Sequence, residues 1–147
     1  MTLTGQYEPS PAKWVRDQVE TYERTGGREA NTLRDTGIPI VVVTTRGAKS
    51  GKLRKNPVMR VEHDGAYAVV ASKGGSDDQP QWYHNIKADP DSVTLQDGDE
   101  PFDGHARELS GAERQEWWDR AVAIYPSYAE YQTRTDRLIP VFLVERR

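Results

Sequence analysis

Cysteine is absent from this 147-residue chain, which removes disulfides, thiolate nucleophiles, Cys-ligated zinc and iron–sulfur clusters together. A chain of this size builds a core without such staples, so the absence favours a reducing compartment only weakly. Long apolar runs are missing as well. The longest, Ile38-Pro-Ile-Val-Val-Val43, falls far short of the ~20 residues that a membrane-spanning helix needs. No basic region leads into an apolar stretch between Met1 and Ser10, so no secretory signal is expected and the chain reads as cytoplasmic. Histidine is scarce. His63, His84 and His105 show no metal-ligand spacing and no helical His-Glu pair accompanies them, so no metal site is expected and they read as ordinary polar residues. No nucleophile-elbow pattern supports a Ser-His-Asp set.

What is present is an ordinary globular balance, 35% apolar and 29% charged, with a net charge of −3. The average hides a segregation. Arg46, Lys49, Lys52, Arg54, Lys55 and Arg60 follow one another with no acid among them; removing these six from twenty basic residues leaves fourteen against twenty-three acids, a remainder of −9. A cationic stretch on an acidic protein fits a local anion site better than a nucleic-acid surface; a solvated hairpin is the plainer alternative. Nucleic-acid binding is not expected, because aromatics do not interleave with the basic residues.

Ser10-Pro11 is a helix start, and Trp14, Val15, Val19 and Tyr22 fall on one face of a helix over 11–25 that Gly26-Gly27 can end. Residues 28–37 read as a polar loop, and Ile38–Thr45 as a strand covered on both faces. A glycine-punctuated turn leads to a strand over 54–62, where Pro57 argues for an edge or a bulge. Asp64-Gly65 turns it into a return strand at 67–71. A loop over 72–81, a short helix over 82–88 and a hairpin of 93–96 with 102–109 follow. Two capping boxes, Ser110-Gly-Ala-Glu113 and Ser127-Tyr-Ala-Glu130, open helices separated at Pro126, and 140–145 supplies a last strand. The expected class is α+β, with about six mostly antiparallel strands able to close into a small barrel, as one domain over 1–147 with a helical extension at 1–27.

Gly47-Ala-Lys-Ser-Gly-Lys52 imitates a phosphate-binding P-loop and fails as one. Three residues, not four, separate the glycines, Leu53 stands where a Ser or Thr should follow, and a strand rather than a helix comes next. Its parts still suit an anion: Gly47 and Gly51 allow backbone N–H groups to approach, Ser50 adds a hydroxyl, and Lys49 and Arg54 add charge. A surface turn explains the segment equally well. Ala71-Ser-Lys-Gly-Gly75 repeats the theme beyond a strand end, with Trp82 and Asn85 following on a helix. Two such loops flanking a hairpin, near a tryptophan, suit a ligand with a charged tail and a planar ring. Tyr125, Tyr128 and Tyr131 recur at three-residue spacing, a stripe that serves core packing or a site wall; Trp117 and Trp118 read as packing.

Four stretches in order, Thr44-Thr-Arg-Gly-Ala-Lys-Ser-Gly51, Arg54-Lys-Asn-Pro57, Ala71–Gly75 with Pro80-Gln-Trp-Tyr-His-Asn85, and Tyr125–Tyr131 through Thr135-Asp-Arg137, resemble the deazaflavin-dependent nitroreductase family of actinobacteria, whose members use coenzyme F420. The resemblance implies a split β-barrel of the flavin-reductase and pyridoxamine-phosphate-oxidase type. It implies that Lys49, Ser50 and Arg54 hold the phosphate and oligoglutamate tail of F420. Asn56, Pro57, Ser72, Lys73, Gly74, Trp82 and Asn85 would line the ring and its linker. Tyr125, Tyr128 and Tyr131 would border the acceptor, with Ser72 a hydrogen-bond donor to it. The activity implied is hydride transfer from reduced F420 to quinones, conjugated enones or other activated acceptors such as nitro compounds. Ala48 stands where a nitroimidazole-reducing member carries arginine, and Met59 replaces an aromatic residue, so nitroimidazole reduction is not implied. Two other readings compete: a non-catalytic barrel carrying deazaflavin, haem or lipid, and an FMN-dependent relative. A quinone acceptor would live in the bilayer, which leaves peripheral contact at the inner face of the cell membrane open. Against it, the first helix mixes Arg16 and Arg24 with Asp17, Glu20 and Glu23, a poor binder of anionic lipid.

Overall fold

The computed structural model describes residues 3–34 and 36–147. Met1 and Thr2 of the expected N-terminal extension, and Asp35 of the expected 28–37 loop, lie outside them. Helix α1, Lys13–Thr25, begins two residues later than Ser10-Pro11 predicts. The Ser10 hydroxyl accepts from the Ala12 amide (3.2 Å), closing a turn ahead of the helix, and Ala12 takes the cap position without a side-chain bond. The far end follows expectation. Gly26 adopts φ +61, and the Gly27 amide returns to the Tyr22 carbonyl at 2.9 Å.

The strands are β1 (Ile40–Arg46), β2 (Leu53–Met59), β3 (Val61–His63), β4 (Ala66–Val70), β5 (Val93–Gln96), β6 (Pro101–Glu108) and β7 (Val141–Arg146). Helices α2 (Gln81–Ala88), α3 (Gly111–Ile124) and α4 (Ser127–Thr133) complete the order. The pairings between these strands are all antiparallel, in the order β2-β1-β5-β6-β7-β4-β3. Among the described residues there are seven strands rather than six because the expected 54–62 strand changes partners at Arg60. The Arg60 amide bonds the Pro39 carbonyl (2.9 Å) and its guanidinium bonds Asp97, so the chain leaves β1 there and joins β4 as β3.

That single residue fixes the shape. β2 and β3 are the two extremes of the strand order, yet only Arg60 lies between them, so the sheet must curl until its ends meet. β2 then packs beside β4 with no ladder between them, and the barrel is split along that line. Pro57 sits on β2, an edge strand, opposite Val42. The outer edge of β2 is covered by the N-terminal arm: the Leu53 amide donates to the Gln6 carbonyl (2.8 Å) and the Glu8 amide to the Leu53 carbonyl (2.9 Å).

The apolar run of β1 is explained by covering on both faces. Val41 and Val43 join Leu95, Phe102 and Phe142 in the barrel interior, while Ile40 and Val42 pack under Val15, Val19 and Tyr22 of α1. α3 and α4 close the other side through Trp117, Ala121 and Tyr128, with Trp118 half-buried beside them. Neither expected capping box forms. Ser110 precedes α3 but makes no cap bond, and the Glu113 carboxylate is taken by Arg107 at 2.7 and 2.8 Å. Pro126 already has helical dihedrals and caps α4, which moves Ser127 inside the first turn.

The β5–β6 turn is fastened from two sides. The Tyr22 hydroxyl accepts from the Gly98 amide (2.8 Å) and donates to the Gln96 carbonyl (3.3 Å). The Tyr67 hydroxyl and Arg60 Nε both donate to Asp97 Oδ2, at 2.6 and 2.9 Å. Burial first, and then the bond to Asp97, push the Tyr67 hydroxyl up to about 12. A raised phenol pKa contributes stability that is whole below the unfolded value near 10 and is lost as pH rises through 12. Tyr67→Phe is therefore expected to cost about 1.5–3 kcal/mol at neutral pH and to flatten the alkaline limb between roughly pH 10 and 12. Urea unfolding across pH 7–12 measures both; an unchanged alkaline limb would remove Tyr67 as its cause.

Candidate active site

The split between β2 and β4 opens into a cleft of about 360 Å³, within the usual range for a small-molecule site of about 300–1,000 Å³. Asn56, Pro57, Val58 and Met59 of β2 form one wall and Val70, Ser72, Lys73 and Gly74 the other. Pro80 and Trp82 close one end, and Tyr125, Tyr128 and Tyr131 stand across from them. The structure thus brings together six of the site residues read from the sequence, Asn56, Pro57, Ser72, Lys73, Gly74 and Trp82, with the whole tyrosine stripe.

The three tyrosines are a packed group. Tyr125 and Tyr131 share a hydrogen bond of 2.8 Å between hydroxyls, and the Tyr128 ring meets Tyr125 edge-on at 5.0 Å and 88°. Burial pushes the Tyr128 hydroxyl up, while the hydrogen bond between Tyr131 and Tyr125, followed by burial, pushes Tyr131 up to about 12. Both are therefore proton donors at any physiological pH. Among the described residues no protein group bonds the side-chain hydroxyls of Ser72 or Tyr128, although both residues are largely buried. A hydroxyl that lines a cleft and lacks a protein partner is available to a ligand. Trp82 serves two masters: it lines the cleft and also meets Phe142 in the core, ring centroids 6.3 Å apart.

A second cavity of about 280 Å³ lies against the turn between β1 and β2, lined by Gly47, Ala48, Lys49, Ser50, Arg54, Glu8, Gln81 and Asn85. Both cavities are built on β2 and the start of α2. The turn joins two antiparallel strands, which ends the P-loop comparison. Its glycine amides do not face outward as expected. Gly47 N–H donates to the Lys52 carbonyl (2.7 Å) and Gly51 N–H to the Gly47 carbonyl (2.9 Å), because the tight hairpin consumes them. Asn85 is 2% exposed and acts as a clamp: Oδ1 accepts from the Ala48 amide (3.0 Å), and Nδ2 donates to Thr45 Oγ1 (3.1 Å). It faces the turn cavity and not the cleft.

The basic stretch divides. Arg54 is paired with Glu8 (2.6 Å), Lys55 with Glu23 (2.6 Å) and Arg60 with Asp97 (2.9 Å), while Arg46 reaches the Gly51 and Thr4 carbonyls. Among the described residues, Lys49 and Lys52 alone of the six keep side chains without a protein partner. Lys49, Ser50 and the Arg54–Glu8 pair line the turn cavity.

Sequence reasoning missed the third wall, Trp14 and Val15 of α1 with Leu33. Trp14 is 40% exposed and lies under the Arg34 guanidinium at 4.6 Å. The signal was there as an apolar helix face, but a helix face looks the same whether it covers a sheet or a ligand. No group of three or more metal-binding side chains occurs among the described residues.

Comparison with known proteins identifies the family. The model of the F420H(2)-dependent quinone reductase family matches residues 14–146. An F420H(2)-dependent quinone reductase of Mycobacterium tuberculosis is 33% identical over 129 residues, covering 86% of this chain and 85% of the relative. The solved structure of an F420-H2 dependent reductase superposes with a TM-score of 0.69 at 60% identity, covering 78% of this chain and 97% of that one. A further structure, a domain-swapped dimer, gives 0.71 at 56% identity over 92% and 100% of the two chains. On the family model and the curated relative together, this chain belongs to the F420H(2)-dependent quinone reductase family.

Proposed function

We propose that this chain reduces quinones with F420H2, the deazaflavin ring lying in the cleft between β2 and β4 and its anionic tail in the cavity at the β1–β2 turn. One observation carries the reading: an apolar-walled cleft with two unengaged hydroxyls, on the largely buried Ser72 and Tyr128, adjoins along β2 a cavity bearing uncommitted positive charge. The residues fit such a group. Pro57, Val58, Met59 and Trp82 offer flat apolar surface, Gly74 has open space where a Cβ would stand, and Lys49 is free for an anion. Bound there, the reduced coenzyme supplies a hydride and so the reactive bond.

The chain's own task is placement and charge. The cleft walls hold the acceptor against the ring and exclude water from the reacting face. As negative charge grows on an acceptor oxygen, the Ser72 or Tyr128 hydroxyl donates a hydrogen bond to it, at no reorganisation cost because both are already held by packing. The Tyr125–Tyr131 pair lies beside Tyr128 as a source for the final proton. Conjugated enones share the same growing oxyanion and fall within the same reading. Met59 in the ring wall and Ala48 at the turn leave nitroimidazoles outside it.

Fluorescence titration of F420 against FMN, at low and high salt, tests the ligand. Tight F420 binding that weakens with salt is expected, and Lys49→Ala/Arg54→Ala should weaken it roughly tenfold to a hundredfold. Preference for FMN would overturn the assignment. With a soluble quinone as acceptor, Tyr128→Phe and Ser72→Ala should lower kcat, the true donor by about a hundredfold or more; two unchanged variants would discard both roles. Because Tyr131 titrates only near 12 and Tyr128 higher still, ionisation of neither should mark the kcat profile below pH 10, and a break there that vanished in Tyr131→Phe would refute the donor state.

A further inference from the structure

Thr135-Asp-Arg137 takes no part in lining the cleft, yet Arg137 donates four hydrogen bonds into one short connection. Its Nε reaches the Ser76 carbonyl (2.9 Å), Nη1 the Ala71 carbonyl (3.2 Å) and Gln79 Oε1 (2.8 Å), and Nη2 the Ser72 carbonyl (2.9 Å). All four acceptors lie between residues 71 and 79, in the loop that brings Ser72, Lys73 and Gly74 to the cleft. Its neighbours hold the same loop. Thr135 Oγ1 donates to Asp77 (2.7 Å), and a Cβ on Gly75 would stand 2.8 Å from the Tyr131 carbonyl of α4.

This loop needs holding. Lys73, Gly74 and Gly75 have φ of +45, +65 and +83 in succession. A side-chain-bearing residue such as Lys73 keeps that conformation only where its surroundings over-determine it. The direction of the fastening also matters. A trans peptide points its N–H opposite to its C=O, and no cis bond occurs among the described residues. Drawing the Ala71 and Ser72 carbonyls toward Arg137 therefore turns the Ser72 and Lys73 amides away from it. Those two residues line the cleft and Arg137 does not.

We propose that Arg137 is a positioning residue: it sets the peptide planes on either side of Ser72 from behind, and so presents the Ser72 hydroxyl and the Ser72 and Lys73 amides as fixed donors to a carbonyl oxygen in the cleft. The role rests on the cleft holding the deazaflavin and its acceptor. Lysine cannot replace this arginine, because its three donors radiate from one point whereas the four acceptors here are spread along a planar fork.

The test compares wild type, Arg137→Lys and Arg137→Ala by hydrogen exchange at residues 72–76 without ligand, by F420 titration and by steady-state kinetics. Expected are faster exchange at 72–76 in both variants, F420 affinity reduced far less than by Lys49→Ala/Arg54→Ala because the tail contacts are untouched, and kcat lower by roughly tenfold to a hundredfold. Guanidinium ion should recover part of the kcat of Arg137→Ala and none of wild type. Wild-type exchange and kcat in Arg137→Lys would overturn the proposal, as would a kcat loss that only follows the folded fraction in thermal melts. The exchange measurement needs no ligand, so it judges the loop by itself; failure of the wild-type chain to bind F420 would instead defeat the reading of the cleft.

Discussion

β2 and β3 are neighbours in the chain and stand at opposite ends of a seven-stranded sheet, with Arg60 alone between them. Almost everything functional depends on that constraint. It forces the sheet to curl, and the curl brings β2 beside β4 where no ladder joins them. Antiparallel strands that meet without hydrogen bonding leave a seam, and the seam is the cleft. The ion pair of Arg60 with Asp97, and the Tyr67 hydroxyl on the same carboxylate, hold the corner where the chain changes partner.

The second organising fact is how the positive charge is distributed. A run of six basic residues looks like one surface in sequence, but its members are spent differently. Arg60 and Lys55 fasten the barrel to its turn and to α1, and Arg46 ties the N-terminal arm. Arg54 is held by Glu8, a carboxylate on that same arm, which leaves Lys49 as the uncommitted cation facing the turn cavity. An anionic ligand there meets one free charge and one already shared. The attraction such an anion would feel is accordingly local and salt-sensitive.

Much of this was legible beforehand, for reasons that differ by residue. The turn at Asp64-Gly65 declares itself because both residues take positive φ, which few pairs tolerate. Pro57 marked an edge because a central strand has no use for a missing N–H. The stripe Tyr125, Tyr128 and Tyr131 and the loop Ser72–Gly74 were marked by residue type and by family likeness, and both reach the cleft. Other features were hidden because they depend on partners distant in the chain. The break at Arg60 needs Asp97, the failure of the first capping box needs Arg107, and the structural use of Asn85 needs Thr45 and Ala48. Periodicity reports which face of an element is apolar. It does not report what that face meets, and so Trp14 and Val15 read as packing.

That third wall bears on selectivity. Hydride transfer to a quinone asks for a good distance and one or two donors, requirements that the barrel and the tyrosines meet between them. Neither requirement distinguishes one quinone from another. The discriminating contacts must come from surfaces that touch the acceptor away from its reacting carbonyl. Trp14, Val15 and Leu33 line the cleft from the N-terminal segment, outside the barrel. Trp14 stays 40% exposed, and the Arg34 guanidinium stacks on its ring. A wall of this kind can change in size and polarity without disturbing the sheet, the anion-facing turn or the Arg137-held loop. If the cleft holds the coenzyme and its acceptor as proposed, the rigid seam would carry the chemistry and the helix laid across it the choice of acceptor, a division that would let substrate range vary while the hydride geometry is kept.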